Sequence, residues 1–502
     1  MSLSLRNSHL PARSPAKSNL KMHRLQFNAA TTQQRLFNQV TSDRAFLPEQ
    51  DPLVRLPHAL QAYEVALQEL PKLALGSPGF LRRVLQELPA FDLQQLPALA
   101  GGNTAQLLQQ LPPAGQCYTS ASGSNDSSKA QQTAVAVGSG ISCDAQLWRA
   151  YMVLAFLTHG FLWCDGPAVP SSLPQVLAQP FAAVSAALGM PPVLVYATYN
   201  LMNWRRLDPA APLELGNIAC QHNFFGGMDE EWFRLIHVAI EAAAAPAMAA
   251  LQPLQRAAQQ RDAAAMEAHL EAITSSLKAM QVLLARIGER CDPYVYYKRV
   301  RVPMSGWRNN DALPQGLVYE GLWGSQPQQL YGETGAQSTV VHALDAALGI
   351  QHKQGWMQAY LTDMRAHMPP SHRAFLVQLE HGPSVRQAVQ ALGQTMPSST
   401  ASRNSDTPSS SSSSSSAASS SLIEVYDAAV VELERFRSQH RAFAITYIAQ
   451  WSRKEAKEVG TGGSDFVPAL SAYKDATAAH RLGESSTSSS SGSGSSRGCP
   501  FH

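Results

Sequence analysis

The stretch IEVYDAAVVELERFRSQHRAFAITYIAQW, residues 423–451, decides the fold class. One series of its side chains recurs at intervals of four, three, four, three and four residues, namely Ala429, Leu433, Phe436, His440, Phe443 and Tyr447. That period places the series on one face of an α-helix. The segment 262–290 repeats the period, and 229–260 is rich in Ala, Leu and Glu without the alternation of a strand. We therefore predict an all-α protein.

The composition indicates a folded protein with a sizeable core. Of 502 residues, 45% are apolar and 15% are charged, and the net charge of +2 gives no indication of a nucleic-acid partner. Six cysteines lack CxxC spacing, which indicates reduced thiols rather than disulfides or a zinc site. The apolar segment 147–163 is short and contains Arg149 and His159, so we predict a buried helix and no membrane partner.

The ends of the chain and two internal stretches differ from this core. Residues 1–42 contain six Lys or Arg and no Asp or Glu, which is typical of a plastid or mitochondrial transit peptide; a basic tail on a cytoplasmic protein has the same composition. The stretches 112–142 and 396–421 and the tail 484–502 are rich in Ser and Gly or Ala. We predict a surface insertion at 112–142. The other two stretches cannot bury enough apolar area to offset their ordering entropy, so we predict disorder for them.

His440 stands in the middle of the helical stripe, where its imidazole should face the core. A neutral imidazole is a good axial ligand for haem iron, and Arg437, one turn earlier, suits a haem propionate or an acidic side chain. A histidine that only packs and hydrogen-bonds in the core would show the same spacing.

Three further segments contain candidate binding residues. In EEWFRLIHVAIEAAAAPAM, 230–248, Phe233 and His237 share an apolar face, again with simple packing as the alternative. In YVYYKRVRVPMSGWRNN, 294–310, aromatic rings accompany Arg301, which could hold the carboxylate of an aromatic amino acid, although an ordinary amphipathic surface is also possible. GTGGSD, 460–465, is a glycine loop that either closes over a ligand or is a linker.

Taken together, these segments resemble the indoleamine 2,3-dioxygenase family. The resemblance runs from about residue 46 to residue 475, interrupted by the two Ser-rich insertions. The segments that carry it are PPVLVYATYNLMNWRRLDP (191–209), VPMSGWRNN (302–310), GLVYEGLW (316–323), GAQST (335–339), LGIQ (348–351), MPPSHRAFLVQLEHGPSVR (368–386), RFRSQH (435–440) and GTGGSD.

The resemblance implies a smaller N-terminal helical domain that roofs a larger helical domain holding haem. In this sequence the small domain would span 45–223 and the large one 224–483, after a basic tail 1–44. It also implies haem b as cofactor and O2 as co-substrate. The expected partners are L-tryptophan or a related indoleamine and an electron donor that reduces the haem, and we expect a monomer.

The resemblance also assigns haem-binding residues. His440 takes the position of the axial iron ligand, Arg437 that of the residue contacting a propionate, and Asp345 that of its acidic partner. A stretch of small residues that meets the haem edge in the family corresponds here to Thr334, Gly335 and Ala336.

Substrate-binding positions follow in the same way. Tyr196 and Phe233 match residues that line the pocket over the distal haem face, and Tyr296 matches a pocket aromatic. Arg301 matches the arginine that binds the substrate carboxylate, and Thr461 a threonine of the closing loop. His237 is a distal residue with a hydrogen-bonding role to the indole N–H or to the bound oxygen, or a second ligand of ferric iron.

Several positions depart from the family pattern. His237 replaces a serine, Tyr296 and Arg234 replace phenylalanines, Thr334 replaces a serine, and Glu333 replaces a glycine. These changes predict a more polar pocket with altered substrate affinity.

Other functions remain compatible with these residues. A myoglobin-like oxygen carrier or a haem sensor of the same fold would lack turnover; retention of Arg301 and Thr461 favours the enzyme, and Cys499-Pro500 is weak support for a sensor. A helical scaffold without cofactor would leave two inward histidines and an arginine without a role.

Overall fold

The computed structural model describes residues 43–102, 108–109, 111, 143–352, 355–393, 414–455 and 466–483. The predicted all-α class is confirmed, since helices form most of these ranges. The stretches 1–42, 112–142 and 484–502, most of 396–421 and the glycine loop with Thr461 lie outside the described residues. The division at residues 223 and 224 stays a prediction.

The α-helices are α1 (Gln61–Leu73), α2 (Phe80–Gln86), α3 (Cys143–Trp163), α4 (Gln175–Leu188), α5 (Met228–Ala243), α6 (Ala245–Gln260), α7 (Ala263–Ala285), α8 (Pro293–Val295), α9 (Thr339–Leu348), α10 (Gly355–Arg365), α11 (Pro370–His381), α12 (Val385–Gly393), α13 (Ser414–Ala444), α14 (Gln450–Glu455) and α15 (Phe466–Ala478). Single 3-10 turns include Arg286–Glu289, Val302–Met304 and Gly335–Gln337. Two short sheets complete the described part, with β1 (Ser172–Leu173) parallel to β4 (Val318–Tyr319) and β2 (Trp204–Arg206) antiparallel to β3 (Ile218–Cys220).

One prediction about α13 was wrong. Residues 414–421, which we assigned to the Ser-rich disordered stretch, form the first turns of this helix. The helical stripe that follows supplies a stable nucleus, and extending an existing helix costs far less than starting one.

The long helices α7 and α13 form the centre of the larger helical group. They pack along each other, with α6 on the other side of α7 and α15 on the other side of α13. The start of α7 is fixed by Asp262, whose carboxylate accepts a hydrogen bond from the Ala265 amide at 3.0 Å. Burial follows the predicted stripe, since Ala429 and Leu433 of α13 are fully buried.

Helix α3 contains the apolar segment 147–163 and packs against α4 and α1. Its side chains from Ala150 to Leu157 are buried, as we expected for a core helix. A different segment, Met228–Gln260, which comprises α5 and α6, is long and apolar enough to cross a membrane by length and composition. Because 67% of its most apolar window is buried inside the protein, it also satisfies the description of a core helix.

Within the described residues, three π-helical turns interrupt the regular helices, at Ala197–Leu201, Tyr296–Val300 and Ile445–Ala449. Each turn contains, or directly follows, an aromatic residue that lies at or beside the cavity described below, namely Tyr447, Tyr296 and Tyr196. A π turn shifts the register of a helix by one residue and is common at functional sites.

Candidate functional site

A deep cavity lies where α13 meets α5, α9, α10, α15 and the segment 333–336. It encloses about 1480 Å³ of space between the protein atoms, part of which is open to solvent. Its lining includes a helical wall and a loop wall. The helical wall consists of Phe436, Arg437, His440, Phe443 and Ala444 of α13, and the loop wall consists of Glu333, Thr334, Gly335 and Ala336.

His440 of the helical wall has the properties of a metal-ligating imidazole. The ring lines the cavity, and burial, with a smaller effect of the neighbouring His237, lowers its pKa to about 4. The imidazole is therefore neutral at physiological pH, with a nitrogen lone pair available for a metal ion.

Arg437 and Asp345 form a buried ion pair at the edge of the same wall. Both oxygens of Asp345 accept hydrogen bonds from Nη2 of Arg437 at 2.7 Å, and Nη1 of Arg437 donates to Thr477 of α15. Burial alone would raise the pKa of Asp345, but Arg437 and His352 outweigh burial and lower it. The Nε atom of Arg437 is buried and has no hydrogen-bond partner among the described residues, so one donor remains for a ligand in the cavity.

Aromatic rings line the side of the cavity formed by α5 and the π turn at 296–300. The ring of Phe233 lies 4.5 Å from that of His237 and 4.8 Å from that of Tyr296, between centroids. Tyr296 in turn meets Tyr447 at 5.6 Å. Such a continuous aromatic surface favours a flat aromatic ligand.

The hydrogen bonds of His237 define its tautomer. Its Nδ1 lies 2.7 Å from the carbonyl oxygen of Phe233, and because a carbonyl only accepts, Nδ1 must carry the proton. Burial lowers the pKa of His237, so the second ring nitrogen, Nε2, is unprotonated. His237 therefore presents a hydrogen-bond acceptor at the cavity that it lines.

The loop wall is held by hydrogen bonds of its backbone. Thr334 caps the short turn 335–337 by accepting from the Ala336 amide, and His342 of α9 donates through Nε2 to the Ala336 carbonyl at 2.9 Å. A side chain added at Gly335 would meet no atom within 4 Å. The wall is thus rigid and leaves free space beside Gly335, where a flat group can lie.

Glu333, the first residue of the loop wall, is almost fully buried, with 4% exposure. Its Oε1 accepts a hydrogen bond from Nδ2 of Asn200 at 3.0 Å. Burial raises the pKa of Glu333 to about 8, and neither this hydrogen bond nor the charge of Arg234 offsets the effect of burial. A buried acid in a cavity wall with a pKa near neutrality is typical of a functional site.

Tyr196 is not among the described residues that line the cavity, contrary to our expectation. Its ring lies against that of His237 at 6.1 Å, and its hydroxyl donates to Glu241 at 2.9 Å. Glu241 also accepts from the hydroxyl of Ser338 at 2.6 Å, and burial raises its pKa to about 7. The hydroxyl of Tyr196 is turned toward this buried acid, so Tyr196 supports His237 from behind.

Two arginines are not among the described lining residues. The guanidinium of Arg301 lies 5.1 Å from the ring centre of Tyr297, and its contact with a substrate carboxylate stays a prediction. Arg234 does not make the pocket more polar, because its guanidinium lies over Tyr199 at 4.8 Å and bonds the carbonyl of His222. The other predicted departures, His237, Tyr296, Glu333 and Thr334, do line the cavity.

The lining fits an iron porphyrin. A neutral imidazole on a rigid helix supplies an axial ligand, the Nε atom of Arg437 supplies a donor for a propionate, and the space beside Gly335 accepts the edge of a flat macrocycle. Fold and site therefore define the class as a helical haem protein.

Comparison with known proteins identifies the family. The family model described as indoleamine 2,3-dioxygenase matches residues 127–501. Indoleamine 2,3-dioxygenase 1 of Rattus norvegicus is 32% identical over 343 residues, which are 65% of this chain and 78% of that protein. Indoleamine 2,3-dioxygenase of Saccharomyces cerevisiae is 29% identical over 66% of this chain and 78% of its own length. The chain belongs to the indoleamine 2,3-dioxygenase family.

Membership of this family makes the protein an oxidoreductase, a haem-dependent dioxygenase of the indoleamine type. The family also contains other chemistry: a myoglobin of Haliotis madaka is 29% identical over 65% of this chain, and a 6-hydroxytryptophan 2,3-dioxygenase of Fusarium equiseti is 31% identical over 61% of it.

Sequence reasoning missed two acids of this site. Glu241 stands four residues after His237 on α5 and is the single acid in an otherwise apolar stretch, which was a usable signal. Glu333 was recognised as a departure from the family pattern, but no role was given to it.

Proposed function

We propose that this protein inserts O2 across the C2–C3 bond of the indole of L-tryptophan and forms N-formylkynurenine, with haem b held by His440. The observation that carries this proposal is the cavity itself, which joins a neutral imidazole that would hold the iron to a continuous aromatic surface. Roles for Arg437 and Asp345 follow, since the free Nε donor of Arg437 lies at the cavity edge, fixed by Asp345, where a propionate would bind.

The aromatic residues position the indole. Phe233 and Tyr296 offer ring faces and edges to a flat bicyclic ring, and His237 offers the unprotonated Nε2 as acceptor for the indole N–H. That hydrogen bond fixes the orientation of the ring in its plane, which stacking alone leaves open. Tyr196 keeps His237 in place through ring contact and through its bond to Glu241.

Arg301 binds the substrate carboxylate in this proposal. The guanidinium is buried at the end of the aromatic π turn, and Arg301 N donates to the Tyr296 carbonyl at 3.0 Å, so the two residues move together. A tyrosine ring 5.1 Å away restricts the guanidinium without neutralising its charge. Thr461 contributes from the glycine loop, by resemblance to the family.

Haem supplies the activation of O2 and the oxidising power when it is bound. The protein contributes position, a dry environment and the neutral state of both histidines. An electron donor would be needed to keep bound haem reduced.

Product formation from L-tryptophan tests this proposal directly. The full chain is loaded with haem, reduced and supplied with isotopically labelled O2, and N-formylkynurenine is identified by chromatography and mass spectrometry. We expect both labelled atoms in the product. With Arg301→Met, KM for L-tryptophan should rise by about tenfold or more because a charged hydrogen-bond partner of the carboxylate is lost. A product with one labelled atom, or none, would refute the dioxygenase reaction.

An oxygen-binding protein is the second candidate, and the likeness to the Haliotis myoglobin favours it. A stable oxygenated spectrum with no product at saturating tryptophan would support the carrier.

A further inference from the structure

We propose that Glu333 binds the ammonium group of the substrate, so that Glu333 and Arg301 together recognise an α-amino acid and make the pocket selective for indoles that carry an amine. This inference rests on the proposed function and names the specificity-determining residue of that site. It concerns a position at which the family pattern has glycine, so it is particular to this chain.

Two consecutive backbone hydrogen bonds connect the acid to the arginine, and a third connects the arginine to Tyr296. Arg301 N donates to the Tyr296 carbonyl at 3.0 Å, Met304 N to the Arg301 carbonyl at 3.1 Å, and Glu333 N to the Met304 carbonyl at 3.0 Å. Contact between the two segments leaves no room for movement, since a Cβ at Gly332 would lie 2.1 Å from the Met304 oxygen. The backbones of Glu333 and Arg301 are therefore held in a fixed relation on either side of Met304.

Both charged groups act on the hydroxyl of Tyr296. Arg301 lowers the pKa of that hydroxyl and Glu333 raises it, while burial raises it by more than either charge changes it. Tyr296 and Glu333 both line the cavity. An amino acid has its ammonium and carboxylate groups on one carbon. A pocket that recognises both groups therefore needs an acidic side chain for the ammonium and a basic side chain for the carboxylate, near the same end of its aromatic surface.

Glu333 is prepared to receive a cation rather than to pair within the protein. Asn200 occupies Oε1 as a neutral donor, and Arg234 is directed to Tyr199 and His222. Four titratable or charged groups interact electrostatically with Glu333, and they come from three elements. These groups are Tyr196, Tyr199, Arg234 and Tyr296. Because burial raises the pKa of Glu333 to about 8, the group is mostly protonated at pH 7 before a ligand arrives.

An arriving ammonium ion reverses this state. The carboxyl loses its proton to solvent, and the carboxylate forms an ion pair with the ammonium group, since a nearby positive charge favours the ionised acid. Charge and atoms balance with one proton released for each ligand bound.

The test measures binding by calorimetry to the full chain loaded with ferric haem, without reductant, so that no turnover occurs. Two probes separate the groups: tryptamine has the amine and no carboxylate, and indole-3-propionate has the carboxylate and no amine. With Glu333→Gln we expect about tenfold or greater loss of affinity for tryptamine and less than about threefold change for indole-3-propionate. Arg301→Met should show the reverse pattern.

Glu432→Gln is the matched control. Glu432 is also a buried acid, but it accepts a hydrogen bond from Gln281, pairs with Arg435 and is not among the described lining residues, so the ratio of the two affinities should stay unchanged. Equal loss of both probes in Glu333→Gln, or no loss of tryptamine, would overturn the proposal.

A second measurement needs no variant. At pH 7, tryptamine binding to the unmodified protein should release about one proton, seen as a dependence of the binding enthalpy on the ionisation enthalpy of the buffer, and indole-3-propionate should release none through Glu333. Absence of proton release with tryptamine would also overturn it. Amine selectivity without N-formylkynurenine would leave this inference standing and refute the proposed function, whereas product formation without Glu333-dependent selectivity would do the opposite.

Discussion

The helical wall and the loop wall of the cavity differ in how their ionisable groups are paired. On the helical wall, burial lowers the pKa of His440 to about 4, and on the loop wall, burial raises the pKa of Glu333 to about 8. The same physical cause therefore makes both groups neutral at pH 7, because burial disfavours whichever form is charged. Arg437 on the helical wall is paired with Asp345, both of whose oxygens accept hydrogen bonds from it. The charge of Arg437 therefore has a partner of opposite charge within the protein, whereas the side-chain hydrogen bond of Glu333 among the described residues comes from a neutral amide, so that Glu333 can respond to a ligand.

The largest expected effect falls on the helical wall. In His440→Ala the axial ligand is lost, and we expect the full chain to bind little haem and to form no product. The ratio of haem absorbance to protein measures this, with His381→Ala as control, since His381 is exposed on α11. Normal haem retention and turnover in His440→Ala would place the iron ligand elsewhere.

Breaking the ion pair between Arg437 and Asp345 should have the next largest effect, a loss of unfolding free energy. Asp345→Asn leaves Arg437 buried without its carboxylate, and removal of one partner of a buried pair costs roughly 3–5 kcal/mol. Denaturant unfolding of the full chain measures the free energy of unfolding. Lys72→Ala, which removes an exposed pair with Glu69, should change it by about 1 kcal/mol or less. Comparable losses of unfolding free energy in the two variants would contradict the distinction between the buried ion pair and the exposed one.

Glu241, the buried acid that bonds Tyr196, should make the free energy of unfolding depend on pH. The pKa of Glu241 in the folded protein, about 7, lies above its ordinary value of 4.5, so its favourable contribution is present at low pH and is lost as pH rises through 7. Relative to Glu241→Gln, the unmodified protein should lose up to roughly 3 kcal/mol of unfolding free energy between pH 4.5 and 7. Glu333 titrates in both proteins and cancels in the difference. Parallel pH profiles of the two proteins would contradict this assignment.

The smallest effect concerns the contact between the helical side and the aromatic π turn. Tyr447→Phe removes the hydrogen bond from the tyrosine hydroxyl to the Cys291 carbonyl, 2.7 Å long, and should cost about 1 kcal/mol. The ring remains in contact with Tyr296, so haem content should not change. Unfolding and haem titration on the same preparation check both parts, and a loss of haem would show that the hydroxyl acts on the site itself.

The sequence by itself determined the helical wall. A period of 3.6 residues forces Leu433, Phe436, His440 and Phe443 onto one face, and the positions of α5, α6 and α7 follow from the same local rule. Helix content, the inward direction of His440 and the pairing of Arg437 with Asp345, which resemblance to the family implied, were therefore predictable.

Only the tertiary structure decided the loop wall and the orientation of the side chains around it. The segments that contain Glu333 and Arg301 come together because 330–333 bonds to 304–308, and no local pattern reports a contact between residues 22 or more positions apart. Arg234 and Tyr196 are not among the described lining residues; the guanidinium of Arg234 lies over the ring of Tyr199, and the hydroxyl of Tyr196 bonds Glu241. The pKa values of Glu241 and Glu333 also depend on burial, which is a property of the assembled fold and not of the neighbouring residues in the chain.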